Sequence, residues 1–168
     1  MNLLITGKSG SGKTTAIYRI LQELQEPVYG FWTKKYYKNA DGKAPVYLHD
    51  CRKQLCFCRN NMVGLCVDRG ADCFPEVFDS AGVIALKDIP AGSIVLMDEL
   101  GFMENDAKLF QKQVLDILNR NYRVIAAIKD RSTPFLDAVR SQSNVILKNV
   151  DETKTDEFYS YAKMILMK

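Results

Sequence analysis

No stretch of the chain approaches the roughly 18 consecutive apolar residues that a membrane-spanning helix needs, so an integral helical membrane protein is excluded. The N-terminus lacks the charged-then-apolar layout of an export leader, because Leu3-Leu4-Ile5 runs straight into a glycine loop. Neither charge sign is in large excess. With 23 Lys and Arg against 20 Asp and Glu, the formal charge is +3, too small by itself to argue for a nucleic-acid partner. A paired-cysteine framework is also missing: five cysteines, an odd number, without an export signal imply reduced thiols and a cytoplasmic location. No internal repeat, low-complexity segment or linker appears, so residues 1–168 are expected to form a single domain. What remains is ordinary for a soluble globular protein, with 47% apolar and 26% charged residues and enough chain for one sizeable core.

The chain opens on a short apolar run, Asn2 to Thr6, ended by Gly7, which reads as a buried parallel strand. Ile17, Ile20, Leu21 and Leu24 then fall at the spacing of one helical face, and Pro27 stops that helix. From about 28 to 67 the pattern changes to aromatic and β-branched runs: Tyr29–Thr33, Pro45–Leu48, Leu55–Cys58 and Met62–Leu65, with a turn at Asn39-Ala40-Asp41-Gly42. These predict an antiparallel β insertion. Alternation resumes with a helix from Pro75 to about Leu86, a buried strand at Ser93–Met97, a helix carrying Phe110, Val114, Ile117 and Leu118, and a strand at Arg123–Ile128. A short helix after Pro134, a strand at Val145–Leu147 and a C-terminal helix marked by Phe158, Ala162 and Ile165 complete the reading. Alternating strands and helices predict an α/β fold with a mainly parallel sheet covered on both faces.

Gly7-Lys8-Ser9-Gly10-Ser11-Gly12-Lys13-Thr14, followed by Thr15, satisfies G-x-x-x-x-G-K-[ST] in full. The glycines let successive backbone N–H groups converge on phosphate oxygens, and the helix that starts there adds unpaired donors and a positive dipole end. Lys13 supplies a mobile cation for the β- and γ-phosphates, and the Thr14 hydroxyl is a Mg²⁺ ligand of the usual kind. Nucleotide binding is therefore assigned to Gly7 through Thr15. Asp98, at the carboxyl end of a buried strand, is placed to hold Mg²⁺ together with Thr14, and Glu99 to orient and deprotonate an attacking water.

With these motifs, Gly30-Phe31-Trp32-Thr33, Asp98-Glu99-Leu100-Gly101 and Met103-Glu104 resemble the THEP1-type nucleoside triphosphatases, in order and rough spacing from Asn2 to the final helix. The resemblance implies a RecA-like P-loop core with an antiparallel insertion, and release of phosphate from ATP, GTP and other triphosphates.

Weaker signals remain open. Lys129 and Arg131 follow a buried strand, where a cation can reach the γ-phosphate or simply face solvent; Arg131 is the stronger candidate because its fork grips two oxygens. Lys34-Lys35-Tyr36-Tyr37-Lys38 mixes cations and aromatics as single-stranded nucleic-acid surfaces do, but an exposed basic strand edge is the preferred reading. Met103 reads as core packing, and Glu104 either as a supporting partner of the Mg²⁺ site or as a carboxylate in the first turn of the next helix. His49, Cys51, Cys56, Cys58 and Cys66 are the other residues with ligand chemistry; buried thiols are expected over a zinc site, because Cys-x₂-Cys knuckles are missing. The rival to hydrolysis is a kinase for a nucleotide or other small acceptor. Arg120, Arg123, Arg131 and Arg140 are the only arginines between Asp98 and Arg140, without the close pair of an acceptor-closing lid. A nucleotide-dependent switch or nucleic-acid-associated ATPase is the second rival.

Overall fold

The computed structural model describes residues 1–151 and 155–167, with side chains for all of these except 155–157. The strands are β1 (Asn2–Thr6), β2 (Val28–Lys35), β3 (Ala44–Asp50), β4 (Met62–Val67), β5 (Gly70–Cys73), β6 (Ile94–Leu100), β7 (Arg123–Ile128) and β8 (Val145–Asn149). They form one eight-stranded sheet in the order β5-β4-β3-β2-β6-β7-β1-β8. From β2 to β8 every pairing is parallel, and from β2 out to β5 every pairing is antiparallel.

The helices are α1 (Lys13–Leu24), α2 (Pro75–Val77), α3 (Val83–Ala85), α4 (Lys108–Leu118), α5 (Pro134–Arg140) and α6 (Thr155–Leu166). They lie on both faces. Because side chains alternate along a strand, Leu4, Val95, Met97, Val124 and Ala126 pack with Phe78, Phe110, Val114, Ile117 and Leu136 on one face. Leu3, Ile5, Leu96, Ile125 and Ala127 meet Ile17 and Ile20 of α1 and Phe158, Ala162 and Ile165 of α6 on the other. No helix among the described residues is long and apolar enough to cross a membrane.

The insertion differs from expectation in three ways. β2 belongs to the parallel sheet, pairing Val28–Trp32 with Ile94–Asp98, so the antiparallel part is β3 to β5 and runs six residues past Val67. Leu55–Cys58 is a loop rather than a strand. Lys34 and Lys35 do not form a sheet edge, because β2 is an interior strand; the edges are β5 and β8. The turn at Asn39 is as expected, its side-chain oxygen accepting from Asp41 N at 3.1 Å and Lys43 N at 2.9 Å. The helix expected from Pro75 comprises α2 and α3 joined by a π-helical turn, Phe78–Gly82.

Gly30 shows why this sheet needs glycine. Its φ is +92°, and a Cβ there would lie 2.1 Å from the Leu96 carbonyl oxygen on β6. Only glycine lets β2 approach β6 so closely, immediately before Phe31-Trp32-Thr33.

Candidate active site

The glycine loop leaves β1 at Gly7 and enters α1 at Lys13, with Gly10 and Gly12 in the left-handed region at φ +79° and +89°. A Cβ on Gly7 would lie 2.8 Å from Ser11 Oγ, so the loop closes on itself there. Lys8 N donates to Asp151 Oδ2 at 2.7 Å, which ties the loop to the segment after β8. Lys13 is buried, and its Nζ donates to the carbonyls of Gly7 (3.0 Å) and Lys8 (2.9 Å).

β6 lies across from the loop. Thr14 Oγ1 donates to Asp98 Oδ1 at 3.2 Å, which joins the two residues expected to hold the metal. Asp98 is only 3% exposed. Burial is the main cause that pushes its carboxyl up to about 6, opposed by the Thr14 hydrogen bond. Glu99 lies between two cations: its Oε1 is 2.6 Å from Lys129 Nζ and its Oε2 is 3.6 Å from Lys13 Nζ.

Thr33, the last residue of the Gly30–Thr33 run, fixes this pair from β2. Its hydroxyl donates to the Asp98 carbonyl at 3.3 Å and accepts from Glu99 N at 3.2 Å. Nothing in the local sequence marks this role of Thr33. Glu104 is buried beneath the following loop, where its Oε1 accepts from Gly101 N at 2.7 Å; it lies ahead of α4 rather than in its first turn. Burial pushes its carboxyl up to about 7. Met103 packs on the core, and its Cε is 2.1 Å from where a Cβ on Gly64 would lie.

Lys13, Thr14 and Glu99 open on a cleft of about 340 Å³ lined also by Ser9, Gly10, Gly12, Thr15 and Lys129, while Thr33, Asp98, Met103 and Glu104 line a cavity of about 310 Å³ that shares Ser9, Thr14, Glu99 and Lys129 with it. Arg131 is outside it: the residue is exposed, with its guanidinium 5.1 Å over the Phe102 ring. The structure brings Lys129 to the cleft instead. Lys129 is the first residue after buried Ile128, and that position at the strand end was the signal for it.

The thiols divide differently from expectation. Cys51 and Cys66 pack against the two different core clusters, while Cys56 and Cys58 are exposed because their segment is a loop. Among the described residues no three His, Cys, Asp or Glu side chains group as metal ligands.

A glycine loop at the carboxyl end of an interior parallel strand, a lysine folded over it, and a hydroxyl–carboxylate pair across from it define a P-loop nucleotide-binding protein. The family model described as NTPase matches residues 2–162, and the chain belongs to that family. It is an enzyme by that membership. The nucleoside-triphosphatase THEP1 of Thermotoga petrophila is 28% identical over 167 residues, covering 93% of this chain and 87% of the relative. The THEP1 nucleoside-triphosphatase of Aquifex aeolicus is 26% identical over 159 residues, 88% of each chain. The crystal structure of THEP1 from Aquifex aeolicus superposes over all of both chains with a TM-score of 0.72 at 20% identity. The solution structure of a human cancer-related nucleoside triphosphatase gives 0.65 at 19% identity, over 99% of this chain and 95% of that one. The α/β fold is theirs.

Proposed function

We propose that the protein hydrolyses nucleoside triphosphates, ATP and GTP among them, to the diphosphate and phosphate in a Mg²⁺-dependent reaction. The observation that carries this is the Glu99 carboxylate, held at the phosphate cleft by Lys129 and Lys13 beside the Thr14–Asp98 pair. The relatives named nucleoside-triphosphatase support it.

Thr14 and Asp98 fit Mg²⁺. They offer two hard oxygens 3.2 Å apart, and Asp98 is a buried carboxylate with no ion pair among the described residues. When bound there, the ion would supply positive charge to the phosphate oxygens. The loop amides and Lys13 bind the phosphates and hold the γ-phosphorus in place. Glu99 takes a proton from water as the water oxygen bonds to that phosphorus, and the bond to the β–γ bridging oxygen breaks to release the diphosphate. Lys129 both orients Glu99 and stabilises the charge on the transferring group.

The test is phosphate release from ATP, GTP, CTP and UTP with Mg²⁺ titrated from zero, with and without nucleotide and small-alcohol acceptors. Steady release without acceptor, lost without Mg²⁺ and in Lys13→Ala, is expected. Release wholly dependent on an acceptor would make the protein a kinase.

A further inference from the structure

Away from the phosphate cleft, a cavity of about 420 Å³ opens beside β3, with Leu48, His49, Cys56, Cys58 and Ile84 in its lining. Hydrolysis as proposed above uses none of these residues. The loop that delivers the two thiols is organised by one side chain. Asn61 Nδ2 donates to the carbonyls of Cys56 (2.9 Å) and Leu48 (3.0 Å), while its Oδ1 accepts from Cys58 N (3.0 Å). Cys58 is extended at φ −136°, ψ 167°, and in extended chain residues two apart share a side. Phe57 packs instead against Tyr36, Tyr47 and His49, with ring centroids 4.9, 5.5 and 5.6 Å away. The loop therefore commits its aromatic ring to the ring cluster while both thiols line the cavity.

Both thiols line this one cavity, and the Cys58 side chain donates to Asn61 Oδ1 at 3.3 Å and accepts from the Asn61 backbone N–H. The neighbouring Cys56 thiol and then the backbone N–H groups of Asn60 and Asn61 hold the Cys58 thiol below the ordinary range, and Cys58 in turn pushes the Cys56 thiol above it. In contrast, burial pushes Cys51 up to about 12 and raises Cys73. The neighbouring cation–carboxylate groups do not compete for the pair: Arg52 is bound to Asp50 at 3.0 Å, and His49 Nε2 lies 3.3 Å from the Tyr36 hydroxyl.

We propose that Cys56 and Cys58 form a thiol–disulfide exchange site, with Cys58 as the attacking sulfur and Cys56 as the resolving one. The co-reactant is a low-molecular-weight disulfide. The Cys58 thiolate bonds to one of its sulfurs and the other leaves as a thiolate. Cys56 then loses its proton to solvent and attacks the Cys58 sulfur of the mixed disulfide, forming the Cys56–Cys58 bond and expelling the second thiolate. The protein loses two electrons, and the small disulfide gains them.

The test exposes the full-length protein to hydroxyethyl disulfide or oxidised glutathione, quenches with acid, and reads tryptic peptides by mass spectrometry. Cleavage after Lys53 and Arg59 releases both cysteines in one hexapeptide, Gln54–Arg59. Wild-type peptide is expected to lose two hydrogens without retaining an adduct, ahead of any change at Cys51, Cys66 or Cys73. Cys56→Ser should trap one adduct on Cys58, and Cys58→Ser, which keeps a hydroxyl that can donate to Asn61 Oδ1, should slow modification roughly tenfold or more. Unchanged thermal midpoints in both variants show that reactivity and not folding is being read. A wild-type peptide carrying two separate adducts, or equal rates at Cys56 and Cys58 in the single variants, overturns the proposal.

Discussion

Lys129 Nζ lies 2.6 Å from Glu99 Oε1, so the cation at the end of β7 is bound to the carboxylate at the end of β6 directly over the phosphate cleft. Arg131, two residues further on, is spent on the Phe102 ring. Lys129→Ala should lower steady-state turnover roughly 10- to 100-fold, because a preorganised charge facing the transferring group is lost. Arg131→Ala should stay within about twofold. Reversal of that order would return the role to the arginine.

Glu99→Gln keeps the shape and hydrogen-bonding capacity of the side chain but removes the base. Turnover should fall ~10²-fold or more while nucleotide binding, followed by calorimetry in the presence of Mg²⁺, is retained. Asp98→Asn should behave differently, raising the Mg²⁺ concentration needed for half-maximal turnover. Should Glu99→Gln turn over normally, another group must activate the water.

The parts of this molecule that were legible in its sequence are those whose function depends on local order. The Gly7–Thr15 motif specifies its own backbone, and the Asp98-Glu99 pair could be placed because buried β6 ends there. What was illegible depends on which strands become neighbours. β2 reads as part of an aromatic hairpin, and nothing local reveals that Val28–Trp32 pairs with β6; the pairing is visible only through Gly30, which sits under the Leu96 carbonyl. Leu55–Cys58 has a strand's composition, but the Asn61 side chain takes the Cys56 carbonyl and the Cys58 N–H, two of the groups a strand ladder would use. The place of Arg131 likewise depends on Phe102, over whose ring the guanidinium lies.

Thr33 provides a test of that hidden pairing. Its hydroxyl bridges the Asp98 carbonyl and the Glu99 amide from a neighbouring strand, and so positions the backbone from which both carboxylates project. Thr33→Val is isosteric but cannot bridge; kcat should fall about tenfold with little change in KM, since misplacement of a base by a fraction of an ångström is costly. Thr33→Ser should restore most of the loss. If serine fails to rescue, the hydroxyl is not the cause.

Glu104 gives the protein a pH dependence whose sign can be worked out. Burial raises its carboxyl from an ordinary value of 4.5 to about 7, against the Gly101 N–H bond that favours the charged form; Glu99 and Lys129 are the charged groups acting on it. Between those two pH values the unfolded chain has released the proton and the folded chain retains it. The folded state therefore binds more protons, and stability declines as pH rises from 4.5 through 7, with the full cost present above 7. A difference of that size corresponds to on the order of 3 kcal/mol. Glu104→Gln mimics the neutral acid at every pH, so its thermal midpoint should match wild type near pH 5 and exceed it by roughly 5–10 °C near pH 8. Asp98, raised for a similar reason, is common to both proteins and cancels in the comparison. A gap between the two midpoints that stays constant from pH 5 to 8 would mean that Glu104 titrates alike in the folded and unfolded chains, and its burial would then carry no electrostatic cost.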